Sequence, residues 1–257
     1  MIVAGFMLLA VGAVDLVRQF APRRWVGYLT VAIILLLLGS VSDALVPLLI
    51  ALATGALWIW SMPDGRKAPL GFWPAALLAL LVVGAVVWLG GRADAGLIGQ
   101  AWTLRSPFGA IPFDLAVLAV GAGVFLLESA NLVVRAALDG EHTWRPIELV
   151  PAATGDAAVT DGGDVEAEPQ DEPAQSGGFK GGRLIGPLER LLVLILTLAA
   201  AYPILAAMLA AKGIVRFPEI SRDGETGSRA EYFLVGSLVS WVIALGAAFL
   251  VWWAAHS

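Results

Sequence analysis

The chain has 257 residues, 59% of them hydrophobic and only 14% charged, with a mean hydropathy of +0.83. Ordinary soluble domains carry about a quarter charged residues, so this composition excludes a water-soluble globule and implies an all-α, polytopic transmembrane helix bundle of about six to seven membrane helices. There is no cysteine, which excludes disulfides, thiol nucleophiles, Cys-ligated zinc and iron–sulfur clusters.

The formal net charge of −5 is unevenly spread. Residues 139–182 hold ten acids against Arg145 and Lys180, a local charge of −8 that leaves +3 for the rest. Arg outnumbers Lys, and Ala, Gly, Leu and Val dominate, a bias expected of a GC-rich bacterial genome.

Ile2 to Val14 is an apolar run with no basic residue ahead of it and no small-residue cleavage motif behind it. It reads as a retained first helix rather than a cleaved signal peptide. The run is shorter than the ~17 residues a span requires, so the helix is expected to continue through Asp15 to Phe20. Arg18, Arg23 and Arg24 then make the most basic short loop of the N-terminal half, which by the positive-inside rule is cytoplasmic and leaves the N-terminus outside. Helix 2 is expected over Trp25–Val41, an outside turn at Ser42 and Asp43, and helix 3 over Ala44–Trp60. Pro63 to Lys67 supply a cytoplasmic turn before helix 4, Gly71–Leu89. Gly90 to Pro112 is too polar to span and has room for a short interfacial helix. Helix 5, Phe113–Ala137, returns the chain to the cytoplasm, where Arg135 and Arg145 follow.

Three regions result: a five-helix transmembrane block over 1–138, an acidic cytoplasmic linker over 139–182, and a C-terminal transmembrane block of two helical segments over 183–257. The linker, disordered over about Val150–Gly182, has too little apolar surface to offset the entropy of ordering. In the C-terminal block, Leu184–Ala211 and Ala230–Trp253 are apolar and Lys212–Arg229 is polar. Read as one span, Leu184–Ala211 sends Lys212, Arg216, Arg222 and Arg229 outside, against the charge rule. The alternative breaks this segment at Tyr202-Pro203 into two half-helices that enter and leave on the cytoplasmic side. The single span is the preferred reading, because Leu191–Ala211 is continuous and proline is tolerated in such helices.

A charge inside a bilayer costs roughly 2.5–3.5 kcal/mol on insertion scales, so each one calls for a partner or a job. Glu128, Asn131 and Arg135 stand at i, i+3 and i+7 on one face of helix 5, so that Asn131 can bridge a carboxylate to a guanidinium. A polar ladder locking helices together is preferred there over an ion or substrate contact. Asp15 and Arg18 read as a local i, i+3 pair near the interface, and Asp43 and Asp114 as caps or surface residues. Lys212 and Arg216, at i and i+4, read as snorkelling anchors, with a phosphate or lipid head group as the alternative.

The C-terminal block, roughly 182–241, resembles the C-terminal membrane segment of a group of uncharacterised bacterial multi-pass membrane proteins. The resemblance is carried by Arg183, Ile185, Gly186, Leu188-Glu189-Arg190, Ala210-Ala211-Lys212, Arg216-Phe217 and Glu231-Tyr232-Phe233-Leu234-Val235-Gly236-Ser237. It covers less than a quarter of the chain, brings no activity with it, and implies only that these charged residues form a unit.

No phosphate-binding loop, dinucleotide fingerprint or Gly-x-Ser-x-Gly elbow occurs. The two histidines, His142 and His256, have no metal-ligand partner at useful spacing. The expected function is therefore that of a non-enzymatic scaffold or accessory subunit of a membrane complex in a bacterial cytoplasmic membrane. It has no catalytic residue, cofactor, metal or nucleic-acid partner, and its surroundings are the lipid bilayer and a membrane-protein partner or second copy. The alternative is a small transporter or lipid-handling protein that holds an anionic group near the cytoplasmic interface. Its candidate ligand-binding residues are Glu128, Asn131, Arg135, Glu189, Arg190, Lys212, Arg216 and Glu231. A membrane enzyme acting on a lipid-linked substrate ranks third.

Overall fold

A computed structural model describes residues 1–62, 71–92, 95–106, 109–140, 182–221 and 228–257, with the side chains at 100, 139, 140, 182, 183, 216–221 and 228–232 outside that description. The helices are α1 (Ile2–Phe20), α2 (Arg24–Val41), α3 (Leu45–Ser61), α4 (Trp73–Leu89), α5 (Gly96–Ala101), α6 (Phe113–Leu127), α7 (Ser129–Gly140), α8 (Gly182–Leu198), α9 (Tyr202–Ser221) and α10 (Ser228–His256). Two short strands, β1 (Arg105–Ser106) and β2 (Gly109–Ala110), pair antiparallel in the connection before α6. Residues 141–181 of the expected linker, the turn at Pro63–Lys67 and the side chains of Arg216 and Glu231 lie outside the described residues.

Local chemistry explains most element boundaries. Pro74 sits in the first turn of α4, where its missing amide proton would have had no acceptor. Gly90, with φ of +54°, ends that helix in a conformation glycine adopts without strain. A short helix is expected between Gly90 and Pro112, and α5 lies there. The strand pair that follows is tied down by Trp102, whose Nε1 donates to the Ile111 carbonyl at 2.8 Å while its ring meets Phe113 edge-on.

The centre of the bundle is α1, packed against α6 and α3 and, less extensively, α2 and α4. Phe6, Val11 and Ala4 are fully enclosed, and Leu35, Leu48, Leu118 and Ala122 close around them. The α1–α6 contact is a backbone-to-backbone approach. A Cβ at Gly5 would lie 2.8 Å from the Leu118 nitrogen, and one at Gly12 would lie 2.7 Å from the Phe125 nitrogen. Without side chains at these positions the two helices gain dispersion contact along their backbones, the usual device where water supplies no driving force. Leu250, Val251 and Ala254 of α10 join the same core, so the C-terminal block packs on the N-terminal one.

Two expected helices are broken. The continuous helix over Phe113–Ala137 is α6 and α7, bent by 50° at Glu128. The preferred single span over Leu184–Ala211 is α8 and α9, separated at Ala199–Ala201, where Ala200 has φ of +54°. The two halves fold back on each other. Glu189 and Lys212 meet at 2.7 Å, although a continuous helix would hold residues 23 positions apart about 34 Å from each other. Val193 and Leu194 of α8 pack with Leu205, Met208 and Leu209 of α9, as an antiparallel hairpin requires.

The outer faces are apolar. Leu29, Ile33 and Leu37 on α2, Val46 and Leu49 on α3, Leu80 and Val87 on α4, Leu188 and Ile195 on α8, and Leu238 and Val242 on α10 are all exposed. Such a girdle far exceeds the few hundred Å² of apolar patch that soluble monomers tolerate.

Candidate functional site

The charged and polar side chains inside the bundle form connected nodes, and the first is on α1. Asp15 and Arg18 are both buried within the bundle. Arg18 Nη1 donates to Asp15 Oδ1 at 3.0 Å and to the Met62 carbonyl at 2.8 Å, and Nη2 donates to the Ile59 carbonyl at 2.8 Å. Those carbonyls end α3, where four oxygens have no intrahelical donor and the helix dipole favours a cation. Asp15 Oδ2 accepts from Trp58 Nε1 at 2.8 Å and from Ser129 Oγ at 2.6 Å. One carboxylate thus joins α1, α3 and α7.

The second node sits at the α6–α7 bend. The Ser129 hydroxyl is committed to Asp15, and the Leu126 carbonyl accepts from Arg190 Nε of α8 at 3.0 Å instead of continuing the helical ladder. Polar groups inserted into the i→i−4 pattern are a recognised cause of such a kink. Asn131 Nδ2 donates to Glu128 Oε2 at 3.0 Å, and Asn131 Oδ1 accepts from Arg190 Nη2. Arg190 Nη1 reaches Ser240 Oγ of α10 at 3.4 Å. Asn131 therefore bridges a carboxylate to a guanidinium, but that guanidinium is Arg190. Arg135, also on α7, is exposed.

The third node follows from adjacency on α8. Neighbouring helix residues point about 100° apart, so Glu189 turns away from Arg190 toward α9 and α10. Both of its oxygens lie 2.7 Å from Lys212 Nζ, and Oε1 also accepts from Trp241 Nε1 at 2.7 Å. The ammonium stands 5.4 Å from the Trp241 ring centre and 5.7 Å from that of Phe233. This node is partly open, with side-chain exposures of 12% for Glu189 and 26% for Lys212.

At the opposite end of α1, Arg92 clamps Asp114 with Nε at 3.1 Å and Nη2 at 2.9 Å, and donates through Nη1 to the Ser42 and Asp43 carbonyls. Asp114, in the first turn of α6, is buried rather than a surface residue. The Met1 amine donates to the Gly90 carbonyl nearby. Burial pushes that amine below its usual value, with Asp114 opposing and Arg92 adding to the effect. Replacing Arg92 with methionine is expected to lower stability by roughly 1.5–3 kcal/mol, the range for hydrogen bonds to charged groups, read as a lower unfolding midpoint in detergent. An unchanged midpoint would show that water replaces the clamp without loss.

No family model, curated protein or solved structure matches the chain. Its chemistry rests on this geometry. Glu128, Asn131 and Arg190 share one node, and Glu189 and Lys212 share another. Sequence reasoning missed Trp58, Ser129, Ser240, Trp241 and Phe233, whose roles depend on helices distant in the chain. Among the described residues no group of three or more His, Cys, Asp or Glu is placed to hold a metal ion.

Proposed function

We propose that this protein is a multi-pass integral membrane protein of a bacterial cytoplasmic membrane, acting as a non-enzymatic scaffold or accessory subunit of a membrane complex. The apolar girdle supports immersion in lipid. So do three helices among the described residues that are long and apolar enough to cross, with a fourth if the bent α6–α7 pair counts as one span. The observation that carries the scaffold reading is the satisfaction of the buried polar groups within the chain. Among the described residues, every buried side-chain nitrogen or oxygen has a hydrogen-bond partner. Buried charges paired in this way hold helices in register and leave little for a substrate. Purification in mild detergent is expected to bring down a stoichiometric membrane-protein partner. Recovery of a monodisperse, partner-free chain would sink the reading.

In the arrangement we favour, α1, α2, α3, α4, α6–α7 and α10 cross the bilayer and the α8–α9 hairpin returns to the side it entered from. The polar stretch after α9, with Arg222 and Arg229, then joins Arg18, Arg23, Arg24 and Arg135 on the cytoplasmic side, which the charge rule favours. The C-terminus falls outside with the N-terminus. Alkaline phosphatase fused after Ser257 is expected to be active and a green fluorescent protein fusion dark. Cysteines placed at Gly224 and Asp161 are expected to resist an impermeant thiol reagent in intact cells. Labelling at Gly224 would return Leu184–Ala211 to a single crossing.

A lipid-handling role is the second reading, favoured by the partly exposed Glu189–Lys212 pair. Glu189→Gln should abolish a phenotype that depends on that pair while leaving the membrane level of the protein intact, whereas a scaffold would tolerate it.

A further inference from the structure

We propose that Glu189, Trp241 and Phe233 form an ammonium-binding cage, that Lys212 is its internal occupant, and that the cage takes an alkylammonium ligand when α9 withdraws. The cage is independent of the scaffold reading. Its chemistry is that of cation recognition: a carboxylate presenting both oxygens at 2.7 Å, and two aromatic rings within the ~6 Å at which a ring face attracts a cation. Trp241 also fixes the carboxylate by donating to Oε1, so the acceptor geometry does not depend on the lysine. An anion would meet Glu189 instead of a spare positive charge, because the Lys212 ammonium is neutralised where it stands.

The occupant and its cage are on differently anchored elements. Glu189 is on α8 and both rings are on α10, which packs against α4, α6, α7 and α8. Lys212 is on α9, which packs chiefly on α8 and leaves ten of its fourteen residues from Tyr202 to Val215 exposed. The chain enters α9 through Ala200, at φ of +54°, a left-handed conformation that costs a residue with a side chain. Glu189 lies about 10 Å along α8 from Gly182, close to the depth of a phospholipid head group if that helix begins at the membrane surface. The ligand class is thus a primary or quaternary ammonium, free in solution or carried on a phospholipid.

Vacating the cage tests this. In detergent, the melting temperature of Lys212→Ala is expected to rise saturably, by roughly 2–4 °C, with ethylammonium chloride but not with sodium chloride at equal ionic strength. The Glu189→Gln, Lys212→Ala double variant should not respond. No response of the single variant, or an equal response of the double, overturns the proposal. Should Lys212→Ala fail to fold, the wild-type chain provides the second measurement, because it contains only Lys67, Lys180 and Lys212. Tetramethylammonium, which cannot be acylated, should increase acylation of Lys212 relative to the other two lysines by displacing it. Unchanged labelling overturns the proposal. In phosphatidylglycerol nanodiscs, a rise in the Lys212→Ala melting temperature on adding phosphatidylethanolamine assigns the lipid as a source, and a rise with free ethylammonium alone assigns the soluble amine.

Discussion

Asp15→Ala is expected to cost roughly 3–5 kcal/mol, the range for removing one partner of a buried ion pair. The residue is 1% exposed and accepts from three side chains on three helices. Its loss takes this carboxylate from the buried Arg18 guanidinium and leaves Trp58 Nε1 and Ser129 Oγ without this acceptor. The Ile59 and Met62 carbonyls still receive Arg18, so part of the charge is spread over the end of α3, and the loss should fall short of complete unfolding. Reversible unfolding in mixed micelles measures the change. The double variant Asp15→Ala, Arg18→Met removes the buried charge and should recover part of it. A single variant as stable as the wild type would mean that Asp15 is not buried in the protein in micelles.

Gly121→Val should be as damaging for a different reason. A Cβ at Gly121 would lie 2.5 Å from the Gly5 carbonyl oxygen and 3.1 Å from the Leu9 nitrogen, both backbone atoms of α1. No rotamer relieves a clash with backbone, so α1 and α6 must separate along the contact that centres the bundle. The cost is expected at or beyond the upper end of the ~1–3 kcal/mol typical of overpacking, with loss of monodisperse protein in size-exclusion chromatography. Gly246→Ala in α10 is the control. Nothing lies within 4 Å of its Cβ position, so the exchange should be neutral or stabilising by up to ~1 kcal/mol through helix propensity. Equal damage at both positions would show that the close α1–α6 approach is absent.

The polar nodes show where sequence reasoning reached its limit. Asn131 and Glu128 are an i, i+3 pair, and local spacing suffices to join them. The guanidinium that completes the set is Arg190, far along the chain, which also takes the Leu126 carbonyl at the α6–α7 bend. Asp15 and Arg18 were legible as a pair, but their depth was not. Helix 1 reads as an ordinary span, and nothing in its residues says that five others surround it.

By itself the sequence determined the all-α class and the boundaries of α1 to α4, because run length, proline, glycine and charge act within a few residues of where they stand. It also singled out Glu189, Arg190 and Lys212, since an apolar run makes a charge conspicuous, although Lys212 reads as a snorkelling anchor and not as the partner of Glu189. The tertiary structure alone decided that α1 is central, that Leu184–Ala211 folds back at Ala200, and that Glu189 and Arg190 enter different polar nodes. Those outcomes are set by contacts between segments tens to more than a hundred residues apart, where competing pairings differ by a few hydrogen bonds and close backbone approaches that no local pattern records.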